Sequence, residues 1–340
     1  MIENKLDAII YIGRFQPPTK AHFQTIKNAL DTALKLIVIV GSAKRARSVR
    51  DPFTCEERIS MLSKMEGIDQ KRITYIPVVN SDYNFPIWIK DIQEKAARRT
   101  LSKDVIGIIG HEKDQSSYYL NYFPQWKFIK QDNLCGGLSA TNVRDSYFSG
   151  KDYKNNDGLL KSTASFLAKF AKTQDYKKLK AEYDFIKQYK ELWSKAPYPV
   201  TFSTADSLVL CKGHVLLIKR GFNPGKGLLA LPGGFISQNE TFTESALREL
   251  KEETKIDIDK NILRNSIKLQ QIFDDPYRDL RGRFITQVSL IDLKVKDLPK
   301  VKAADDANQA RWTPLGELEE IRDKFFADHY QIIKHLLNKI

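Results

Sequence analysis

Three glutamates, Glu249, Glu252 and Glu253, stand at i, i+3 and i+4 of one apolar-periodic stretch, so on a helix their carboxylates converge on one side. Like charges held that close repel, which costs stability unless a cation sits among them. Oxygen-only ligands suit a hard ion, Mg²⁺ or Mn²⁺, and not zinc. The stretch has what a helix needs. Thr241 is an N-cap and Glu244, three residues on, completes a capping box. Phe242, Ala246, Leu247 and Leu250 recur at helical spacing as the buried face, with the glutamates roughly a quarter turn away at its rim. A solvated acidic face has the same composition, so the glutamates alone leave both readings open.

Their neighbours narrow the choice. Gly234, Glu240, Arg248, Glu249, Glu252 and Glu253 fall on the fixed positions of G-x5-E-x7-R-E-U-x-E-E-x-G-U, where U is a bulky aliphatic. Six such coincidences are expected on the order of once in 10⁵ sequences. The stretch resembles the signature of the Nudix hydrolases, which cleave a nucleoside diphosphate linked to another group. The resemblance implies that Glu249, Glu252 and Glu253 are metal ligands or base, that the Gly233 carbonyl is a further ligand, and that Arg248 orients one carboxylate. One position departs. The family's final glycine, which ends the helix with positive φ, is Lys255 here, and lysine adopts that conformation only at some cost.

A second constellation lies near the start of the chain. Gly13-Arg14-Phe15-Gln16-Pro17-Pro18-Thr19-Lys20-Ala21-His22 follows a short apolar run. Glycine permits close backbone approach, prolines stiffen the loop, and His22 enters the first turn of a helix, where phosphate is favoured. Far downstream, Ser139-Ala140-Thr141-Asn142-Val143-Arg144 places two hydroxyls and a guanidinium at another helix start, the makings of a triphosphate cradle. These segments resemble the H/T-x-G-H and S-x-T-x-x-R signatures of the nucleotidylyltransferases, and the G-R-F-Q-P form is similar to archaeal-type nicotinamide mononucleotide adenylyltransferases. Ala21 replaces the first signature's glycine.

That resemblance implies catalytic roles for His22, Arg14 and Arg144 and nucleotide contacts from Gly13, Phe15, Gln16, Thr19, Ser139 and Thr141. Gly41-Ser42-Ala43 is similar to the family's nucleotide-facing turn, leading into the basic residues Lys44, Arg45, Arg47 and Arg50. Asn84 to Trp88 resembles the segment whose tryptophan stacks on nicotinamide. Past the glutamate helix, Arg278, Arg281 and Arg283 surround an Asp and a Gly. They resemble the R-D-x-R-G-R segment of Nudix enzymes acting on ADP-ribose, where arginines meet phosphates.

The elements that must position these groups are legible as two patterns. Ala8–Ile12, Leu36–Val40, Ile73–Val79, Val105–Ile109 and Lys127–Ile129 read as buried strands. Ala21–Ala33, Thr54–Met65, Pro86–Arg98 and Gln115–Asn121 read as helices between them. That alternation predicts an α/β, doubly wound parallel sheet, Rossmann-like, with ligands beyond the strands' carboxyl ends. Leu159–Ala171 closes a domain over 1–172; Asp175–Trp193 is an amphipathic connecting helix within 173–196. Pro197 and Pro199 open an α+β Nudix domain over 197–340, starting with strands Val200–Cys211 and Val215–Lys219.

Charge and composition bound the partners. Residues 1–195 carry 33 Lys+Arg against 22 Asp+Glu, whereas residues 196–340 carry 22 against 20. A basic half implies an anionic partner; with no zinc-finger, RNP or arginine-rich pattern, nucleotides are expected and nucleic acid is not. No run of about 18 apolar residues and no signal peptide are present. The three scattered cysteines, Cys55, Cys135 and Cys211, argue for a reducing cytoplasm and against a disulfide framework.

The expected activity is bifunctional: NMN plus ATP to NAD at one site, ADP-ribose hydrolysis at the other, with Mg²⁺ or Mn²⁺ at the Nudix site and Mg²⁺ entering with ATP. Nicotinate mononucleotide and another nucleoside diphosphate are alternative substrates, an ADP-ribose-sensing regulator is the alternative class, and a homo-oligomer remains open.

Overall fold

The computed structural model describes residues 5–111, 115–132, 139–151 and 158–340; Cys135 lies outside them. The chain forms two compact units, Met1–Lys180 and Ala181–Ile340. The division falls inside the helix expected as a connector, ahead of the Pro197–Pro199 break.

In the first unit, β1 (Leu6–Gly13), α1 (Lys20–Thr32), β2 (Ala33–Val40), α2 (Cys55–Ser63), β3 (Ile73–Pro77), α3 (Phe85–Ala97), β4 (Ile106–Gly110) and β5 (Lys127–Lys130) alternate as predicted. All strands are parallel, in the order β3-β2-β1-β4-β5. The order reverses between β1 and β4, so the turns after Gly13 and Gly110 flank the switch point where such sheets bind ligands. Strand periodicity sorts the side chains. Ile9, Leu36, Val38, Val40 and Ile109 pack with α1 and α2 residues, while Ile10, Ile37, Ile39 and Ile108 pack with Ile92 and Ala96 of α3. Both faces are covered, which is why these strands read as unbroken apolar runs. Two local readings are corrected. Ala33 begins β2 and does not end α1, and Gln115–Tyr122 is a 3-10 helix. Three-residue spacing sends Leu120 and Phe123 into the same core.

The unit closes with α4 (Ala140–Ser149), α5 (Lys161–Phe170) and the first turns of α6 (Gln174–Trp193). The second unit takes the rest of α6, then β6 (Thr201–Cys211), β7 (His214–Arg220), β8 (Leu229–Ala230), β9 (Gly233–Phe235), α7 (Phe242–Thr254), α8 (Lys260–Asn265), β10 (Ile267–Phe273), β11 (Arg283–Leu293), β12 (Ala307–Pro314) and α9 (His329–Leu337). Its mixed sheet runs β10-β11-β6-β7-β12, with β9 on β6 and β8 on β7. Helix α7 buries Ala246, Leu247 and Leu250 completely, the two leucines packing in one core with Val209, Leu216 and Ile291; Phe242 is only partly buried. Its capping box is present. Among the described residues no helix is long and apolar enough to cross a membrane.

Lys255 ends α7 at φ 44°, ψ 34°, donating its N–H to the Lys251 carbonyl at 3.0 Å. The chain thus keeps the left-handed cap without the glycine. Lys255→Gly is expected to stabilise the protein by about 0.5–1 kcal/mol, since the relieved backbone strain exceeds the added freedom of the unfolded chain. Chemical denaturation should show a higher midpoint at unchanged slope.

Candidate active sites

At the first site, His22 sits three residues into α1 behind the N-cap Thr19. Its Nδ1 lies 2.9 Å from the Thr19 backbone nitrogen and 2.8 Å from the Thr19 hydroxyl. A backbone N–H only donates, so Nδ1 accepts, and the neutral ring carries its proton on Nε2. Burial holds the imidazolium pKa down at about 4. His22 is therefore a neutral N–H donor at a helix start.

Two neighbours expected to touch nucleotide also build the loop. Phe15 is 1% exposed at φ 53°, and its ring stands edge-on to His22 with centroids 5.0 Å apart. Gly13 is glycine because a Cβ there would strike the Phe15 ring. The Gln16 amide bonds both the N–H and the C=O of Phe53 at 3.1 and 2.9 Å, which occupies it within the protein.

Arg144 arrives from α4, where Ser139 caps the helix by accepting from the Thr141 N–H. Its guanidinium donates to the Gln16 carbonyl at 2.6 Å and to the Thr141 hydroxyl at 3.1 Å, which brings the two sequence motifs together across 128 positions of chain. Burial, then the charge of Arg14, pull its pKa to about 10. Asn84 starts α3 exposed, and Trp88 stacks on Phe85 at 5.5 Å with Tyr119 edge-on at 5.8 Å.

Sequence reasoning missed the group that sets these loops. Arg58 of α2 is 1% exposed and donates to the carbonyls of Arg14, Gly41, Ser42 and Thr54. It ties the turn after β1 to the turn after β2, where Ser42 also takes an Asn80 oxygen at 3.1 Å on its N–H. Of the basic run, Arg47 is committed to the fold: it forks onto Glu57 at 2.6 and 2.8 Å and pairs with Asp175. Arg45 pairs with Asp82. Asp51 is buried with Arg14 and Arg45 each 3.9 Å away. Burial alone would raise its pKa, but Arg14, Arg45, Arg50 and Arg144 outweigh it and hold the carboxyl low.

The neutral His22 has a consequence for stability. Its pKa is about 4 folded and about 6.5 unfolded, so the unfolded chain binds the extra proton first. The stability present above pH 6.5 is lost as pH falls toward 4, by up to about 3 kcal/mol. Thermal unfolding from pH 7.5 to 4.5 should show this drop, and His22→Asn should flatten it.

At the second site, Arg248 is the hub. Its guanidinium reaches Glu240 at 3.0 Å and Glu249 and Glu252 at 2.8 Å each. Glu253 is 4% exposed and accepts from the Gly233 N–H at 2.9 Å. Burial pushes its pKa up to about 8 and also raises that of Glu249. A Cβ on Gly234 would strike the Glu249 carboxylate, so glycine there lets β9 pass the acidic face of α7. Among the described residues no three acidic, His or Cys side chains stand ready-made around an ion, because Arg248 takes up two of the carboxylates. The donor chemistry fits a hard divalent cation nonetheless: every candidate ligand is an oxygen, and Glu253 is buried with no arginine bonded to it.

A cavity of about 270 Å³ reaches helix α7 at Glu253; Glu249 and Glu252 are not in its lining. Asp206, Arg220, Gly233, Glu253, Arg281 and His329 are among its lining. Arg281 forks onto Asp279 and lies 4.3 Å over the Phe284 ring. Arg278 forks onto Asp328 at 2.9 and 3.0 Å. Arg283 pairs with Asp274 and is not part of the lining. Arg220, unremarked in sequence, stacks on Phe326 at 4.2 Å.

Known proteins resemble both halves of the chain. A Cytidylyltransferase-like family model matches residues 10–145 and a NUDIX domain model matches 202–336. A nicotinamide/nicotinic acid mononucleotide adenylyltransferase of Acinetobacter baylyi is 36% identical over 180 residues, 53% of this chain and 94% of that protein. An ADP-ribose pyrophosphatase of Methanocaldococcus jannaschii is 38% identical over 129 residues, 38% of this chain and 69% of that protein. A bifunctional NMN adenylyltransferase/ADP ribose pyrophosphatase of Francisella tularensis superimposes with TM-score 0.93 at 36% identity, covering 98% of this chain and 99% of that one. The chain belongs to this bifunctional family. A second structure of that Francisella protein, complexed with AMP and a Mn ion, gives TM-score 0.91 at 35% identity. Family membership accounts for finding the residues of two unrelated anion-handling motifs in one polypeptide.

Proposed function

We propose that the first unit transfers the adenylyl group of ATP to NMN, giving NAD and pyrophosphate, and that the second hydrolyses ADP-ribose to AMP and ribose 5-phosphate. The observation that carries the reading is one chain holding both constellations: the His22 and Arg144 helix starts, and Glu249 and Glu252 held by Arg248 with Glu253 buried beside them on the same helix.

In the transferase, the mononucleotide phosphate attacks the α-phosphorus of ATP and pyrophosphate leaves. No side chain becomes covalent, so positioning and charge neutralisation carry the step. The Nε2–H of His22 and the guanidiniums of Arg14 and Arg144 meet the triphosphate, whose Mg²⁺ enters with ATP. Gly41 and Ser42 bound the nucleotide, Thr19, Ser139 and Thr141 hold the two helix starts, and Trp88, with Asn84 beside it, offers a ring to nicotinamide. The Acinetobacter relative's description names both the amide and the acid mononucleotide, which favours acceptance of nicotinate mononucleotide as well.

In the hydrolase, Glu249, Glu252 and Glu253, with the Gly233 carbonyl, would hold Mg²⁺ or Mn²⁺. When bound, such a cation supplies Lewis acidity toward the diphosphate and water. Arg248 holds Glu249 and Glu252 in place, while Arg281 and Arg278 line the cavity that takes the substrate. Arg283 supports the loop from outside.

Incubating the chain with NMN, ATP and Mg²⁺, and separately with ADP-ribose and each divalent ion, tests the proposal by product mass. NAD in the first and AMP with ribose 5-phosphate in the second are expected. Binding of ADP-ribose without cleavage would favour the sensor instead.

A further inference from the structure

The hydrolase cavity contains a histidine that neither motif accounts for. His329 is the first residue of α9 and is 6% exposed. It lines the cavity beside Asp206, Arg220 and Glu253. Its Nδ1 lies 3.1 Å from the Leu231 backbone nitrogen. An amide N–H only donates, so Nδ1 accepts and the neutral ring presents Nε2–H on its opposite edge. Burial favours this neutral form.

The residue before it is fixed by a buried ion pair. Asp328 and Arg278, with side chains 4% and 7% exposed, share two hydrogen bonds of 2.9 and 3.0 Å. Arg278 thereby spends its fork on seating α9. Phe326 contacts the His329 ring at 5.7 Å and carries the Arg220 guanidinium 4.2 Å over its own ring. An N–H donor and a guanidinium thus flank one aromatic ring on the cavity wall, at a helix N-terminus where negative charge is favoured.

We propose that His329 contacts the substrate, donating Nε2–H to a phosphate oxygen of the nucleoside diphosphate bound in this cavity, and that the Arg278–Asp328 pair is its positioning clamp. The proposal rests on the reading that this cavity takes the diphosphate.

Two substitutions separate this role from simple satisfaction of the Leu231 N–H. His329→Asn offers an acceptor where Nδ1 stands but no donor where Nε2 stands; His329→Gln does the reverse. The expected order is a loss of about 10–100-fold in kcat/KM for ADP-ribose in the Asn variant at near wild-type melting temperature, with smaller loss in the Gln variant despite lower stability. The opposite order, an active Asn variant and an impaired Gln variant, overturns the proposal. Melting temperature and amide hydrogen exchange in the second unit report whether the mutated half is folded, and NAD synthesis by the same preparations reports only on the first unit.

A second measurement needs no turnover. In the full chain labelled with ¹⁵N-histidine, titration with AMP in Mg²⁺ buffer should shift the Nε2–H resonance of His329, assigned by its loss in His329→Asn. Shifts elsewhere in the second unit with His329 unmoved overturn the inference alone. No shifts anywhere, together with no ADP-ribose cleavage by the wild type, remove the reading of the cavity and the inference with it.

Discussion

Glu252→Gln is expected to lower kcat/KM for ADP-ribose by on the order of 10²–10³-fold, about 3–4 kcal/mol of transition-state stabilisation, and to leave NAD synthesis unchanged. The substitution is informative because it preserves shape. The Glu252 side chain is 42% exposed and accepts one hydrogen bond from Arg248, and a glutamine oxygen accepts the same bond. What disappears is the full charge needed to hold a hard cation. The melting temperature should therefore hardly move. Steady-state kinetics of both reactions decide the matter. Unchanged hydrolysis would remove the carboxylate trio from the mechanism, and equal loss of both activities would contradict separate sites.

His22→Asn is expected to do the converse, lowering NAD synthesis by on the order of 10²-fold, chiefly through kcat, with hydrolysis intact. The asparagine oxygen can take over from Nδ1 in accepting the Thr19 N–H that closes the start of α1, so the cap survives. The Nε2–H is lost, and with it a donor that strengthens as charge develops on the triphosphate. A rise in KM alone would mean that His22 contributes only ground-state binding. Parallel assays with saturating ATP and NMN distinguish the two.

Much of this was legible because local signals agreed with tertiary need. The apolar runs of β1 and β2 are buried on both faces, so their sequence is unbroken and their place in a parallel sheet is plain. The capping box at Thr241 and the apolar face of α7 located the glutamates to the residue. Less visible were residues whose partners are distant backbone atoms. Nothing near Arg58 in sequence announces that it will bind four carbonyls from the two loops after β1 and β2. The arginines of the R-D-x-R-G-R segment show the same limit. Their type was plain, but each is paired with a carboxylate, two near in sequence and one, Asp328, 50 residues away. Phe15 and Gln16 carried a ligand-loop signature while serving as the packing beneath it. Asp206 and His329 lie in a strand and at a helix start with no motif around them, and only the cavity brings them together.

One half of the chain joins phosphates without consuming water, and the other half divides them with water. Running both reactions in H₂¹⁸O with Mg²⁺ and reading products by mass separates the two fates of water. NAD should carry no label, and each cleaved ADP-ribose should leave one ¹⁸O in either AMP or ribose 5-phosphate. Label appearing in the NAD diphosphate during its synthesis, or unlabelled cleavage products, would contradict this.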